Sequence, residues 1–251
     1  MLSNWQSSKD CSFSIGDQVH VWKISLNLPG DALSYLKTTL SKEEEKRANR
    51  FHFSKDHDSF IITRGSLRIL LAKYLNASAE KISFVYNEYG KPFLKDFRFR
   101  FNVSHSHGLG LIAFDSRYHL GVDIEWKRPG FASAKIGKRF FSAGEIAELQ
   151  SLKHEQIHDG FFNCWTRKEA YIKALGKGLQ IPLSKFQVSL APGRAAQLLH
   201  TEHDPRQKDL WKLFAINAPV DYAAALLVNI SRNDIALYEM DQGFYDHFLG
   251  Y

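Results

Sequence analysis

Two stretches of the chain echo each other: GLGLIAFDSRYHLGVDIE at residues 108–125 and DYAAALLVNISRNDIALYE at residues 221–239. Each is an apolar run, a short polar turn and a second run, and each follows a helical segment and earlier strands. Duplication of that plan constrains 251 residues to an α+β fold of two similar α/β subdomains related by a pseudo-twofold axis. The expected division is residues 1–120 and 121–251, with a site at the interface. Strand pairs also resemble one another by chance, and the residues alone leave both readings standing. No low-complexity linker separates the halves, so they should pack tightly.

The elements read as follows. VHVWKISL (Val19 to Leu26) alternates as a strand. LSKEEEKRANRF opens a helix in which Ser41 and Glu44 have capping-box spacing, and FSAGEIAELQSL repeats it with Ser142 and Glu145. FIITRGSLRILLAKYL (Phe60 to Leu75) is a second helix, and DGFFNCWTRKEAYIKALGKGL a long one that stops near Gly176. ISFVYNEYGKPFL and FRFRFNVSHSHGLGLIAFD are strands parted by turns, the second beginning at Phe97. FQVSL, WKLFAI, YAAALLVNI and IALYEM close the chain as strands.

The strand LGVDIEW carries Asp123 and Glu125 on one face and Val122, Ile124 and Trp126 on the other. Like charges on one face repel, and acids form strands poorly. The pair could hold a hard divalent cation such as Mg²⁺. For a lone D-x-E, an exposed face or a salt bridge to a nearby lysine is the commoner meaning. In WTRKEAYIKALGKGL, Trp165, Lys168, Glu169, Ile172 and Lys173 share one helical stripe, either a surface ion pair or a water-poor wall that seeks an anion. In FNVSHSHG, Ser104 and His105 end an aromatic-rich strand, which suits a structural hydrogen-bonder or a phosphate grip. NEYGKPFL is a turn with one accessible cation, Lys91.

The chain carries 33 Lys and Arg against 27 Asp and Glu, a net charge of +6 that suits phosphorylated or acidic partners. The basic residues are scattered and no nucleic-acid motif appears, which argues against nucleic acid. Two cysteines give neither a metal spacing nor a disulfide framework. The opening MLSNWQSSKDCSFSIGD has no leader pattern, and no apolar run nears the roughly 18 residues that span a bilayer. A cytoplasmic protein without a membrane partner is expected.

RFNVSHSHG, GVDIEW and FFNCWTRKEAYIKALGKGLQIPL, in this order, resemble the signature segments of the 4′-phosphopantetheinyl transferases, in particular the longer surfactin-synthetase-activating type. NEYGKP and LSKEEEKRANRF agree with that family's amino-terminal half, and the resemblance spans residues 41–188. It implies the transferase fold, with two subdomains in one monomeric chain. It implies transfer of the 4′-phosphopantetheine of coenzyme A to a serine of an apo acyl or peptidyl carrier protein, releasing adenosine 3′,5′-bisphosphate, as in the holo-acyl-carrier-protein synthase type. The resemblance makes Asp123, Glu125 and Glu169 the Mg²⁺ ligands and Asp123, Glu169 and Lys173 the catalytic groups. Lys173 and Lys168 would bind pyrophosphate. Ser104, His105 and Arg47 would lie by the 3′-phosphate, and Glu88, Tyr89, Gly90, Lys91 and Pro92 by the adenine and ribose. Glu44 stands where some relatives have lysine. Two rivals remain: another Mg²⁺-dependent nucleotide phosphohydrolase, which fits the acids and lysines but not the order of segments, and a non-catalytic coenzyme A binding protein that keeps the site without turnover.

Overall fold

Described over residues 1–95, 99–132 and 134–249 in a computed structural model, the chain makes two like passes of strand and helix. After a short β1 (Trp5–Ser7), the first pass runs through β2 (Val19–Ser25), α1 (Gly30–Thr38), α2 (Lys42–Ala48) and α3 (Ser54–Leu75). It closes with the hairpin β3 (Phe84–Tyr86) and β4 (Pro92–Leu94), then β5 (Arg100–Ser106) and β6 (Leu109–Asp115). The second pass runs through β7 (Gly121–Trp126), α4 (Ala134–Phe140), α5 (Ala143–Ser151) and α6 (His154–Leu175). The hairpin β8 (Phe186–Val188) and β9 (Leu198–Thr201), a short α7 (Gln207–Leu210), β10 (Trp211–Ala215) and β11 (Tyr222–Asn229) follow. β12 (Ile235–Met240) and α8 (Gln242–Leu249) come last. The sheets repeat as well, with β2, β6 and β5 side by side in one and β7, β11 and β10 in the other. This is the α+β duplication that the echoed segments imply. The strand expected from Phe97 is seen from Arg100; Phe97 and Arg98 lie outside the described residues.

Local chemistry explains the matching helices. Ser41 and Ser142 accept the N–H of Glu44 and Glu145, whose carboxylates accept the serine N–H in return, giving two capping boxes. Both glutamates are buried and each meets a cation of the next long helix. Glu44 Oε2 lies 2.7 Å from Arg68 Nε, and Glu145 Oε2 lies 2.7 Å from Lys168 Nζ. Both long helices have 22 residues and stop on a left-handed residue, Asn76 (φ 49°) and Gly176 (φ 67°). The expected contact of Lys168 with pyrophosphate is corrected here. Its side chain is fully buried and also donates to the carbonyls of Leu183 and Phe186. A capping carboxylate inside a core needs a buried cation, because an unpaired charge there is strongly destabilising.

Two sheet edges meet at the centre. β5 ends one sheet and β7 ends the other, with no backbone ladder between them among the described residues. Side chains of β5 do the joining. Asn102 Oδ1 accepts the Val122 N–H at 2.9 Å, Ser104 Oγ the Ile124 N–H at 3.3 Å and Ser106 Oγ the Trp126 N–H at 3.1 Å. β11 pairs along the other edge of β7, and α6 packs over its face, so near that a Cβ on Gly121 would fall 1.9 Å from the carbonyl oxygen of Ala170. Only glycine permits that approach. Each half has its own apolar core, and a third cluster, with Val19, Val21, Val122 and Ile124, fills the space between the sheets. The expected boundary is amended at the chain's end. β12 pairs in parallel with β2, and Phe244 and Tyr245 of α8 enter the first core, so these residues complete the amino-terminal half.

Candidate active site

Strand alternation sends Val122 and Ile124 into the core between the sheets and Asp123 and Glu125 the other way. Asp123 is 2% exposed; its Oδ1 accepts from Ser104 Oγ at 2.7 Å and from Lys173 Nζ at 2.5 Å. Its Oδ2 is buried without a partner. Glu125 accepts from Ser106 Oγ at 2.8 Å. Burial and then the charge of Asp123 push Glu169 up to about 7, with Glu125 adding to the rise and Lys173 opposing it. Burial also raises Asp123, against Lys173 and Ser104, and burial followed by Asp123 raises Glu125. Three carboxylates thus hold their protons more tightly through burial, and Glu125 and Glu169 also through the charge of Asp123, the signature of a site that wants positive charge. Among the described residues no three His, Cys, Asp or Glu side chains are grouped so as to hold a metal ion. The expected three-carboxylate set therefore does not stand closed, and Lys173 supplies the local positive charge.

A pocket of about 370 Å³ opens here, lined by Tyr89, Gly90, Lys91, Val103, Glu169 and Lys173. Asn87 shapes its rim: Oδ1 accepts the N–H groups of Tyr89 and Lys91, and the amide donates to the Gly176 carbonyl. Lys91 donates to the Lys173 carbonyl at the end of α6, and burial, then Arg100 and Lys173, lower its pKa to about 8. Pro92 lines a smaller pocket of about 180 Å³ that shares Lys91 and Gly176. Tyr89 Oη donates to Gln180, while Glu88 is exposed. His105 is exposed at the end of β5; partial desolvation and then Lys173 lower its imidazole pKa, against Asp56. Arg47 belongs to a separate, larger pocket of about 910 Å³ with Lys46, Arg50 and Tyr86, its guanidinium 5.3 Å from the Phe60 ring.

Ser104 is corrected. Its hydroxyl donates to Asp123 and accepts from the Ile124 N–H and Lys173, which uses its one proton and both lone pairs. It holds Asp123 in place and has no donor left for a phosphate. Asn87, Asn102 and Ser106 are site-shaping residues that the motif reading passes over. Their signal was available for β5, where Asn102, Ser104 and Ser106 alternate with other residues on one strand face.

Known proteins match along the same segments. A family model described as "4'-phosphopantetheinyl transferase superfamily" matches residues 119–227, and one described as "4'-phosphopantetheinyl transferase, N-terminal" matches residues 29–117. The 4′-phosphopantetheinyl transferase HetI of Nostoc sp. is 40% identical over 189 residues, covering 73% of this chain and 79% of its own. The 4′-phosphopantetheinyl transferase Sfp of Bacillus subtilis is 34% identical over 168 residues, 66% of this chain and 74% of its own. The L-aminoadipate-semialdehyde dehydrogenase-phosphopantetheinyl transferase of Homo sapiens is 32% identical over 166 residues, 61% of this chain and 54% of its own. Among the described residues no helix is long and apolar enough to cross a membrane.

Proposed function

The chain belongs to the 4′-phosphopantetheinyl transferase superfamily, and from that premise we propose how its central cleft works. It transfers the 4′-phosphopantetheine arm of coenzyme A to a serine of an apo acyl or peptidyl carrier protein and releases adenosine 3′,5′-bisphosphate. The observation that carries this reading is Asp123 bonded to Lys173 beneath a pocket that Glu169 also lines.

The donor set fits Mg²⁺, which prefers carboxylate oxygens, and the buried, unpartnered Oδ2 of Asp123 is the atom such an ion would satisfy. Asp123, Glu125 and Glu169 are the residues that would hold the ion, and bound there it would supply charge neutralisation for a pyrophosphate. Lys173 and Lys91 add positive charge at the same pocket, and Arg47 binds the 3′-phosphate end from the separate pocket that it lines. The carrier serine forms its bond to the pantetheine-bearing phosphorus as the bond to the bridging oxygen breaks. Negative charge then grows on the leaving bisphosphate, where fixed cations stabilise the transition state more than the ground state. Glu169, with a pKa near 7, accepts the serine proton. A net charge of +6 steers acidic carriers toward the enzyme without selecting among them. On this reading the protein is a cytoplasmic monomer of the holo-acyl-carrier-protein synthase type.

The test is incubation with coenzyme A, Mg²⁺ and a panel of apo carriers from fatty-acid, polyketide and peptide synthetases. A carrier that gains the mass of one phosphopantetheine is the expected result. Nucleotide breakdown with no carrier product, or binding of coenzyme A without turnover, overturns it.

A further inference from the structure

The joint between β5 and β7 also fixes the acids. Ser104 accepts the Ile124 N–H and donates to the carboxylate of the preceding residue, Asp123; Ser106 accepts the Trp126 N–H and donates to the preceding Glu125. A backbone carbonyl could accept those N–H groups but has no proton to give. A hydroxyl does both, so each serine ties the position of a strand amide to the aim of an acid. Asn102, the third member of the row, accepts the Val122 N–H but follows no such pattern, because the preceding residue there is Gly121. Asp123 has a second support in Lys173, whereas Ser106 is the one hydrogen-bond donor to Glu125 among the described residues.

We propose that Ser106 is a positioning residue that orients the Glu125 carboxylate for the divalent cation. The proposal rests on the metal reading above. A hydroxyl bonded to a metal-ligating carboxylate restricts its rotation before the ion arrives, and loss of such an outer partner typically lowers metal affinity by about 10–100-fold.

The experiment measures Mn²⁺ binding to the full chain by electron paramagnetic resonance, without coenzyme A or carrier, together with melting temperature. Ser106→Ala should bind Mn²⁺ about 10-fold more weakly, and Ser106→Thr, which restores the hydroxyl, should bind within about twofold of the wild type. Asn102→Ala is the control: it removes a tie to β7 that touches no acid, so its melting temperature falls while its Mn²⁺ affinity stays within about twofold. Unchanged affinity in Ser106→Ala overturns the proposal alone. So does equal weakening in Asn102→Ala, which would make the joint merely structural. A wild type that binds no Mn²⁺ overturns this proposal, and one that in addition turns over without divalent cation overturns the metal reading as well.

Discussion

On β2 the side chains turned toward α3 include Trp22 and Ile24, buried in an aromatic core; on β7 the matching places hold Asp123 and Glu125 beside α6. The match follows from the shared plan. Counting back from the caps Asn76 and Gly176 pairs Arg68 with Lys168 and buried Ile69 with Glu169. The first half fills its centre with bulk: the Trp22 indole donates to Tyr74 Oη at 2.9 Å, and the rings of Phe13 and Tyr238 stack on it. The second half is narrow, because Gly121 lets Ala170 and Ala174 come up against the strand. One architecture therefore makes a core where it encloses apolar bulk. It makes a site where small residues let a helix bring titratable groups against a strand. Stability belongs mainly to the first arrangement, and the second gives some up by gathering like charges.

The sharpest way to break this contrast is Glu169→Gln. Loss of the base should lower turnover by about 10²–10⁴-fold. Stability should move the other way. The folded-state pKa of Glu169 is raised from 4.5 to about 7, so its ionisation disfavours the fold. The penalty is absent below about pH 4.5, grows as pH rises toward 7 and is complete above it. The glutamine variant should therefore be more stable at pH 8, by on the order of 1–3 kcal/mol, with the gain vanishing near pH 4.5. Urea unfolding at both values checks this; a variant less stable at pH 8 would mean that Glu169 makes a supporting contact.

Next in size is Lys168→Met. If this lysine is structural, its loss strands buried Glu145 and costs about 3–5 kcal/mol; Arg68→Met should cost less in the other half, because Arg64 Nε stays 3.5 Å from Glu44 Oε1. Whatever protein folds should bind coenzyme A normally, and Glu145→Gln with Lys168→Met should recover much of the stability. A selective loss of coenzyme A affinity in a stable Lys168 variant would reinstate the pyrophosphate role.

Lys168 also shows where the sequence stops being informative. Helix periodicity placed Lys168, Glu169 and Lys173 near one stripe, but neighbouring positions on a helix can face a core and a cleft, and only packing decides. The capping boxes at Ser41 and Ser142 were legible because they are local hydrogen-bond patterns, as was the stop at Gly176. α1, α4, α7 and α8 carry no such signal, the last three being short and weakly punctuated. α3 was expected from Phe60 and begins at Ser54, since its polar first turn shows no apolar period. The return of β12 to the first sheet is a long-range pairing that no local pattern encodes. The acids, Glu169 and Lys173 were legible through motif order. Ser106 was not, because its role appears only when β5 lies beside β7.

Acidification should separate the two halves by sign. His20 is buried and neutral: Tyr74 Oη accepts from Trp22 and so donates to His20 Nδ1 at 2.7 Å, leaving Nε2–H to donate to Gln18 at 3.1 Å. Burial lowers its pKa to about 4, so between pH 6.5 and 4 the unfolded state binds more protons. Stability from this group is lost as pH falls through that window, by at most about 3 kcal/mol, while the acid cluster relaxes over the same range. Unfolding free energies of His20→Gln should fall less steeply between pH 6.5 and 4. A variant with the wild-type slope would remove His20 as the cause.

The smallest expected effect tests the matching itself. Lys73 and Lys173 occupy the same place counted back from their helix caps, so residue type and helix position are held constant and only the facing strand differs. Opposite Lys173 stands Asp123, under the pocket; Lys73 is exposed, its ammonium 5.9 Å from the Phe13 ring. Lys73→Ala should change stability by no more than about 1 kcal/mol, the range of exposed cation–π and surface polar contacts. It should leave the coenzyme A dissociation constant untouched, whereas Lys173→Ala weakens it. Titration calorimetry on both variants reads the difference directly. Weakened coenzyme A binding in Lys73→Ala would mean that the first half's helix reaches the ligand after all, and the division of one plan into a core and a site would have to be redrawn.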